Sequence, residues 1–188
     1  MDFTTINIPG AYLIKLSPFT DERGAFTRLF CQDELKQIGF DKTIVQINHS
    51  HNIQKGTLRG MHFQYAPHAE VKIIRCLQGK VYDVMVDLRE NSPAFLTYFA
   101  VELSVEAYNA IYIPEGCAHG FQTLEDDCQL LYFHTQFYNK ASEGGIRYDD
   151  PMINIQWPLP PQNITAKDMG YPLLNNSFKG IGPYIPTT

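Results

Sequence analysis

The run Val81, Tyr82, Asp83, Val84, Met85, Val86, Asp87, Leu88 constrains the fold more than any other stretch, because it alternates without a break. Tyr82, Val84, Val86 and Leu88 share one face of a strand, and Val81, Asp83, Met85 and Asp87 share the other. A helix would scatter both sets around its circumference, so the run is a strand. Its second face carries two carboxylates, which either orient cationic groups in a pocket or simply face solvent. Shorter β-prone segments recur at 11–16, 43–48, 71–77, 97–103, 110–113 and 129–134, broken by Gly, Pro and Asn turns. The stretch 56–64 is strand-like as well, while Pro18 and the Asp-Glu-Arg-Gly run ending at Gly24 mark a loop. Only 32–39 reads as a helix, and it stops at a glycine. The expectation is an all-β fold of antiparallel strands, a sandwich or barrel, with a few short helices. Twelve Phe and eleven Tyr suit such strands.

At 188 residues the chain has the size of one domain, expected over 1–188. From about Trp157 it turns Pro-rich, which reads as an extended strap across the domain, and the stretch from Tyr171 as loose or packed along the surface. A net charge of −5 argues against nucleic acid or an anionic membrane as a partner held by bulk electrostatics. An anionic ligand would need local cations. No apolar run approaches the roughly 20 residues of a membrane span, and the N-terminus has no basic leader with an apolar core. Cys31, Cys76, Cys117 and Cys128 lack C-x-x-C spacing and lie in or beside apolar segments, as reduced core cysteines do. The expected setting is cytoplasmic.

Two histidine-bearing turns stand out. One is Gly56-Thr-Leu-Arg59-Gly60-Met-His62-Phe-Gln64, where glycines either side of Leu58 point to a close backbone approach or a bulge. The other is Pro114-Glu-Gly116-Cys-Ala-His119-Gly120-Phe121. His62 and His119 have three readings: ligands of one metal, core histidines with buried partners, or an acid/base group and an anion binder. The metal reading is weakened by Gln64, which stands where a second ligand of an H-x-H turn would be. The acid/base reading needs a carboxylate to set the tautomer, a cation for an oxyanion and a facing acid. Asp168 or Asp83 serves for the first, Lys72 for the second and Tyr132 for the third. Taken alone, Lys72 is as well explained as a device on an edge strand, and Tyr132 as a core aromatic.

The ordered set Asp21-Glu-Arg23-Gly-x-Phe26, Gln46-x-Asn48-x-Ser50, Leu58 to Gln64, Lys72, Asp83 to Asp87, Ile113 to Phe121, Tyr132, Tyr138, Asp149-Asp-Pro151, Trp157-Pro158 and Lys167-Asp168 resembles the dTDP-4-dehydrorhamnose 3,5-epimerase family. The resemblance runs from about Ile6 to Asp168. It implies a cupin-type jelly roll (a double-stranded β-helix), no metal or other cofactor, a homodimer with exchanged N-terminal strands, and a nucleotide-linked 4-keto-6-deoxy sugar as substrate. It further implies His62 as the base, Asp168 as its dyad partner, Lys72 at the enolate oxygen and Tyr132 as the returning acid. Arg59 and His119 are then expected at the diphosphate, with Arg23 of the other subunit, and Phe26, Gln46, Asn48 and Tyr138 around the nucleoside. Gln64, Glu143 and Lys167 complete the expected substrate-binding set. Two positions depart from the family's thymidine-specific pattern: Arg28 stands in a Thr-Arg pair where an acidic residue is usual, and Phe133-His134 where a lysine is usual. Arg28, expected near the base, therefore implies a nucleotide preference looser than, or different from, strict thymidine selectivity. The competing readings are a C3- or C5-only epimerase or ketoisomerase on a related CDP- or GDP-linked sugar, a metal-dependent cupin enzyme, and a sugar-nucleotide binding module without turnover.

Overall fold

The computed structural model describes residues 1–185. Thirteen strands and two short helices run in the order β1 (Asp2–Thr5), β2 (Tyr12–Lys15), β3 (Phe19–Asp21), β4 (Gly24–Phe26), α1 (Gln32–Leu35), β5 (Gln46–Asn52), β6 (Leu58–Gln64), β7 (Lys72–Gln78), β8 (Lys80–Asp87), β9 (Tyr98–Ser104), β10 (Asn109–Ile113), β11 (Cys117–Thr123), β12 (Cys128–His134), β13 (Glu143–Gly145) and α2 (Ala166–Met169). They form a six-stranded sheet, β1-β2-β10-β7-β12-β5, and a five-stranded sheet, β13-β6-β11-β8-β9, while β3 and β4 pair only with each other. All the strand pairings are antiparallel. This is the all-β jelly roll expected of the sequence.

The central apolar cluster lies between the sheets and draws on both: Ile74, Cys76, Ile111 and Leu130 from one, Val81, Met85, Leu103 and Phe121 from the other. The outer face of the six-stranded sheet is covered by Leu35 and Phe40, which pack with Ile14, Ile73, Tyr112 and Phe133. The outer face of the five-stranded sheet is covered by the C-terminal third, where Ile146, Ile153 and Ile155 pack on Met61, Val84 and Val86. Strand β8 is therefore buried on both faces. Asp83 and Asp87 are both fully buried, which removes the solvent-facing reading of that strand.

Four local expectations need correction. The segment read as a loop before Gly24 is the β3–β4 hairpin. The stretch read as a histidine-bearing turn continues, after Pro114–Gly116, as a fully buried strand, β11, held between β6 and β8. The helix expected over 32–39 is α1 followed by a 3-10 turn at Lys36–Ile38, ending where Gly39 takes φ 75°. The Pro-rich strap contains α2, whose Thr165 hydroxyl accepts the Asp168 amide as a cap. The strap is tied down by Gln122, whose side chain donates to Leu159 O at 2.9 Å and accepts its amide at 3.1 Å. Gln162 bonds the Gly56 carbonyl and Leu58 amide beyond it.

Cys76, Cys117 and Cys128 are buried, Cys31 is half-buried, and all four are unpaired. Burial pushes the Cys76 thiol up to about 12. Among the described residues, no helix is long and apolar enough to cross a membrane.

Candidate active site

A cavity of about 750 Å³ opens at one end of the sandwich, within the size range of small-ligand sites. Arg59, His62, His119 and Phe121 line it from the five-stranded sheet, Asn48, Ser50, Lys72, Tyr132 and His134 from the six-stranded sheet, and Thr165, Lys167 and Asp168 from the strap. Close packing of two glycines makes this wall possible. A Cβ on Gly60, which has φ +132°, would lie 2.5 Å from Gly120 Cα, and the register of β11 shifts between His119 and Phe121 at the same place. The close approach expected around Leu58 is here. Gly116 makes the turn into β11 at φ +81°, where a Cβ would run into the Arg89 side chain.

His62 Nε2 stands 2.7 Å from Asp168 Oδ1, across 106 positions of sequence. With Nε2–H donating to the carboxylate, Nδ1 is left as the basic nitrogen. Asp168 is buried and its other oxygen accepts the Gly60 amide at 3.4 Å. Burial favours its neutral form, but the His62 hydrogen bond and charge, the Gly60 amide and Lys167 outweigh it and hold the carboxyl below its ordinary value. Asp83, the alternative partner in sequence, belongs to His119 instead, at 2.9 Å. Burial pushes the Asp83 carboxyl up and the His119 imidazole down, each against the attraction of the other.

Lys72 is not on an edge. Strand β7 lies between β10 and β12, so the ammonium points into the interior, with contacts of 3.4 Å to His62 O and to Glu70 Oε1. Tyr132 hydrogen-bonds Ser50 Oγ at 3.3 Å, and burial keeps its phenol protonated far above neutral pH. Arg59 is held by Nε–H donation to Asn52 Oδ1 at 2.7 Å, which leaves the guanidinium end for a ligand.

The remaining expected residues lie around or away from the cavity. Gln46, Tyr138, Glu143 and Lys167 form a connected rim: Gln46 Oε1 accepts the Tyr138 amide at 3.1 Å, Tyr138 donates to Glu143 at 3.3 Å, and Glu143 pairs with Lys167 at 2.6 Å. Gln64 is buried outside the cavity, donating to His68 O and Phe137 O and accepting the Asn139 amide. Its amide is used up in holding that loop. Among the described residues, no three His, Cys, Asp or Glu side chains come together as a metal-binding set. Arg23 and Phe26 lie on the β3–β4 hairpin, where Arg23 pairs with Asp21 at 2.5 Å. Arg28 pairs with Glu34 at 2.5 Å. None of the three lines the cavity of its own chain.

Ser50, Glu70, His134 and Thr165 escaped assignment from the sequence. Ser50 shares the period-two face of Gln46 and Asn48, and Thr165 stands three residues before Asp168 as a helix cap, so both left a local signal. His134 stood out only as part of the Phe133-His134 departure, with no role attached, and Glu70 left no signal, because the two meet only through the pairing of β7 with β12.

The sequence profile of the dTDP-4-dehydrorhamnose 3,5-epimerase family matches residues 5–176. The dTDP-4-dehydrorhamnose 3,5-epimerase of Salmonella typhimurium is 41% identical over 91% of this chain and 94% of its own. Among solved structures, the dTDP-6-deoxy-D-glucose-3,5-epimerase of Legionella pneumophila in complex with dTDP-4-keto-L-rhamnose superimposes with a TM-score of 0.90 at 33% identity, covering 98% of each chain. A 3'-monoepimerase from Streptomyces bikiniensis in complex with dTDP-quinovose gives 0.83 at 29% identity, covering 89% of this chain and 85% of that one. By the profile match and by these likenesses over most of its length, the chain belongs to the dTDP-4-dehydrorhamnose 3,5-epimerase family.

Proposed function

We propose that this chain inverts C3 and C5 of a dTDP-linked 4-keto-6-deoxy sugar, with His62 and Tyr132 working from opposite faces of the sugar ring. The observation that carries the reading is their placement: His62 projects from the five-stranded sheet and Tyr132 from the six-stranded sheet into one cavity. Both protons to be moved are α to the C4 ketone, so one enolate oxygen serves both steps. His62 Nδ1 takes the proton from the ring carbon, and the C–H electron pair moves into the C4 carbonyl, placing negative charge on its oxygen. The Lys72 ammonium meets that charge, a preorganised contribution of the oxyanion-hole kind. Tyr132 then donates its phenolic proton to the opposite face as the electron pair returns from the C4 oxygen to the ring carbon; solvent takes the proton from His62 and returns one to Tyr132, and the sequence repeats at the second carbon. Asp168 holds the His62 tautomer and supports the imidazolium that forms.

The binding roles follow the same division. Arg59 and His119 hold the diphosphate, Gln46, Asn48 and Tyr138 lie about the nucleoside, and Lys167 with Glu143 closes the rim. Arg23 and Phe26 serve the neighbouring subunit of a homodimer. Phe19 and Phe26 are 82% and 77% exposed on a hairpin that pairs with no other strand among the described residues, and apolar area of that kind is covered in an assembly. The unpaired cysteines fit a reducing compartment such as the cytoplasm.

NMR of a dTDP-linked 4-keto-6-deoxy sugar with the protein in D₂O tests the reading. Deuterium at both C3 and C5 with inverted product is the expected result. Exchange confined to C3 would make the chain a monoepimerase, and absence of exchange at either carbon would overturn the reading altogether.

A further inference from the structure

His134 lines the cavity wall one strand away from Lys72, and the two are Cα partners across β12 and β7. Its ring is held from three directions. It stacks on Tyr132 with centroids 6.1 Å apart and planes 15° from parallel. Nδ1 stands 2.8 Å from Glu70 Oε2, and Nε2 stands 3.4 Å from Asn48 Nδ2. Asn48 has only protons to give from that nitrogen, so Nε2 is the acceptor and Nδ1–H donates to the carboxylate.

The Glu70 side chain, 9% exposed, lies between His134 and Lys72, and its two oxygens are divided between them. Burial favours its neutral form, but the His134 hydrogen bond and the Lys72 charge outweigh it and keep it a carboxylate at neutral pH. The division is unequal: 2.8 Å to the imidazole against 3.4 Å to the ammonium. A charge-assisted N–H···O bond is normally about 2.7–2.9 Å. The Lys72 ammonium therefore has a nearby counter-charge that it does not grip, and its other contact, to His62 O, is also 3.4 Å.

We propose that His134 is a positioning residue for Lys72: by engaging the Glu70 carboxylate it keeps that group from closing on the ammonium, so the Lys72 charge stays available to the substrate oxygen. The inference rests on Lys72 as the enolate-stabilising cation. In a chain lacking the His134 donor, the carboxylate turns to its other neighbour, and a tight buried Lys–Glu pair forms. An ammonium so neutralised offers less to a developing oxyanion, whereas an amide at position 70 cannot neutralise it.

The experiment compares His134→Leu, His134→Gln, Glu70→Gln, the double variant His134→Leu/Glu70→Gln and Lys72→Met. The readouts are kcat, KM and the rate of C3 and C5 exchange of a dTDP-linked 4-keto-6-deoxy sugar in D₂O. His134→Leu is expected to slow both kcat and exchange by about tenfold, part of the 10²–10³-fold that loss of an oxyanion donor costs, with KM little changed. The double variant should recover most of that loss, because the group that captures Lys72 has lost its charge. His134→Gln, whose amide still donates to Glu70, should lie close to wild type. A double variant as slow as His134→Leu, or His134→Leu as fast as wild type, would overturn the proposal. Should His134→Leu not fold, His134→Ser, too short to reach Glu70, carries the same expectations. Undiminished exchange in Lys72→Met would instead remove the enolate-cation reading, independently of the His134 outcome.

Discussion

His62 and His119 are direct Cα partners across β6 and β11, and each imidazole is backed by a carboxylate of its own, Asp168 and Asp83. What separates them is solvent. The His62 side chain is 31% exposed and that of His119 only 6%. A group that must exchange protons with substrate needs that access, while a buried one serves by fixed position. His62→Asn should therefore lower kcat by about 10²–10⁴-fold, the range for loss of a general base, with nucleotide affinity nearly intact. His119→Asn should instead act mainly through KM. Steady-state kinetics and titration with dTDP separate the two, and near-normal C3 exchange in His62→Asn would contradict the base assignment.

Tyr132→Phe keeps the ring that packs against His119 and His134 and removes the hydroxyl bonded to Ser50. The enolate still forms in that variant and takes deuterium back from the His62 side. Exchange should persist while inverted product disappears, which product NMR in D₂O reads directly.

Asp168 has a pH signature besides its effect on rate. Its folded-state carboxyl lies below the ordinary value of about 4, so it contributes stability above that value and loses it as pH falls through the folded-state value. Melting temperatures taken from pH 6 downward should show wild type above Asp168→Asn near neutrality, with the gap closing below about pH 4. A gap independent of pH would mean that the His62 pairing does not stabilise the fold.

Much of this molecule was legible because strands announce themselves by alternation, and the 81–88 run is found at Lys80–Asp87. Local pattern does not say what covers each face. The inner face of β8, which carries Asp83, is covered by the six-stranded sheet through Ile74, Cys76, Ile111 and Leu130, so a sequence window around Asp83 could not decide between pocket and solvent. Strand β11 was hidden for a related reason: the turn at Gly116 was readable, but Cys117 to Thr123 is a strand because β6 and β8 flank it. The cavity residues His62, Lys72, Tyr132 and Asp168 were reached through resemblance more than through spacing. Arg23, Phe26 and Arg28 lie outside the cavity of their own chain, so no local pattern connects them with the residues that line it.

The Gly60–Gly120 contact offers a stability test that turns on backbone packing. A methyl on Gly60 would meet backbone at 2.5 Å and also requires φ +132°, which non-glycine residues rarely adopt. Gly60→Ala should cost several kcal/mol, on the scale of overpacking plus backbone strain. Gly10→Ala, at a positive φ but with open space around its Cβ, should cost only about 1–2 kcal/mol. Urea denaturation of the two variants makes the comparison.

Arg23 pairs with Asp21 on the exposed hairpin, while Arg59 lines the cavity. If the hairpin serves a neighbour, Arg23→Ala and Arg59→Ala should each raise KM strongly. Mixing the two after subunit exchange should restore part of the activity, since one site of a mixed dimer then keeps both arginines. No recovery on mixing would confine each site to a single subunit.

The cap at Thr165 and the Asp168 it helps to set arrive late in the chain, long after His62, and are fastened through Gln122 and Gln162. A nascent chain released only as far as β12 lacks the carboxylate that pairs with His62. The His62–Asp168 pair therefore exists only once the strap has been made and docked, the last part of the cavity's lining to arrive.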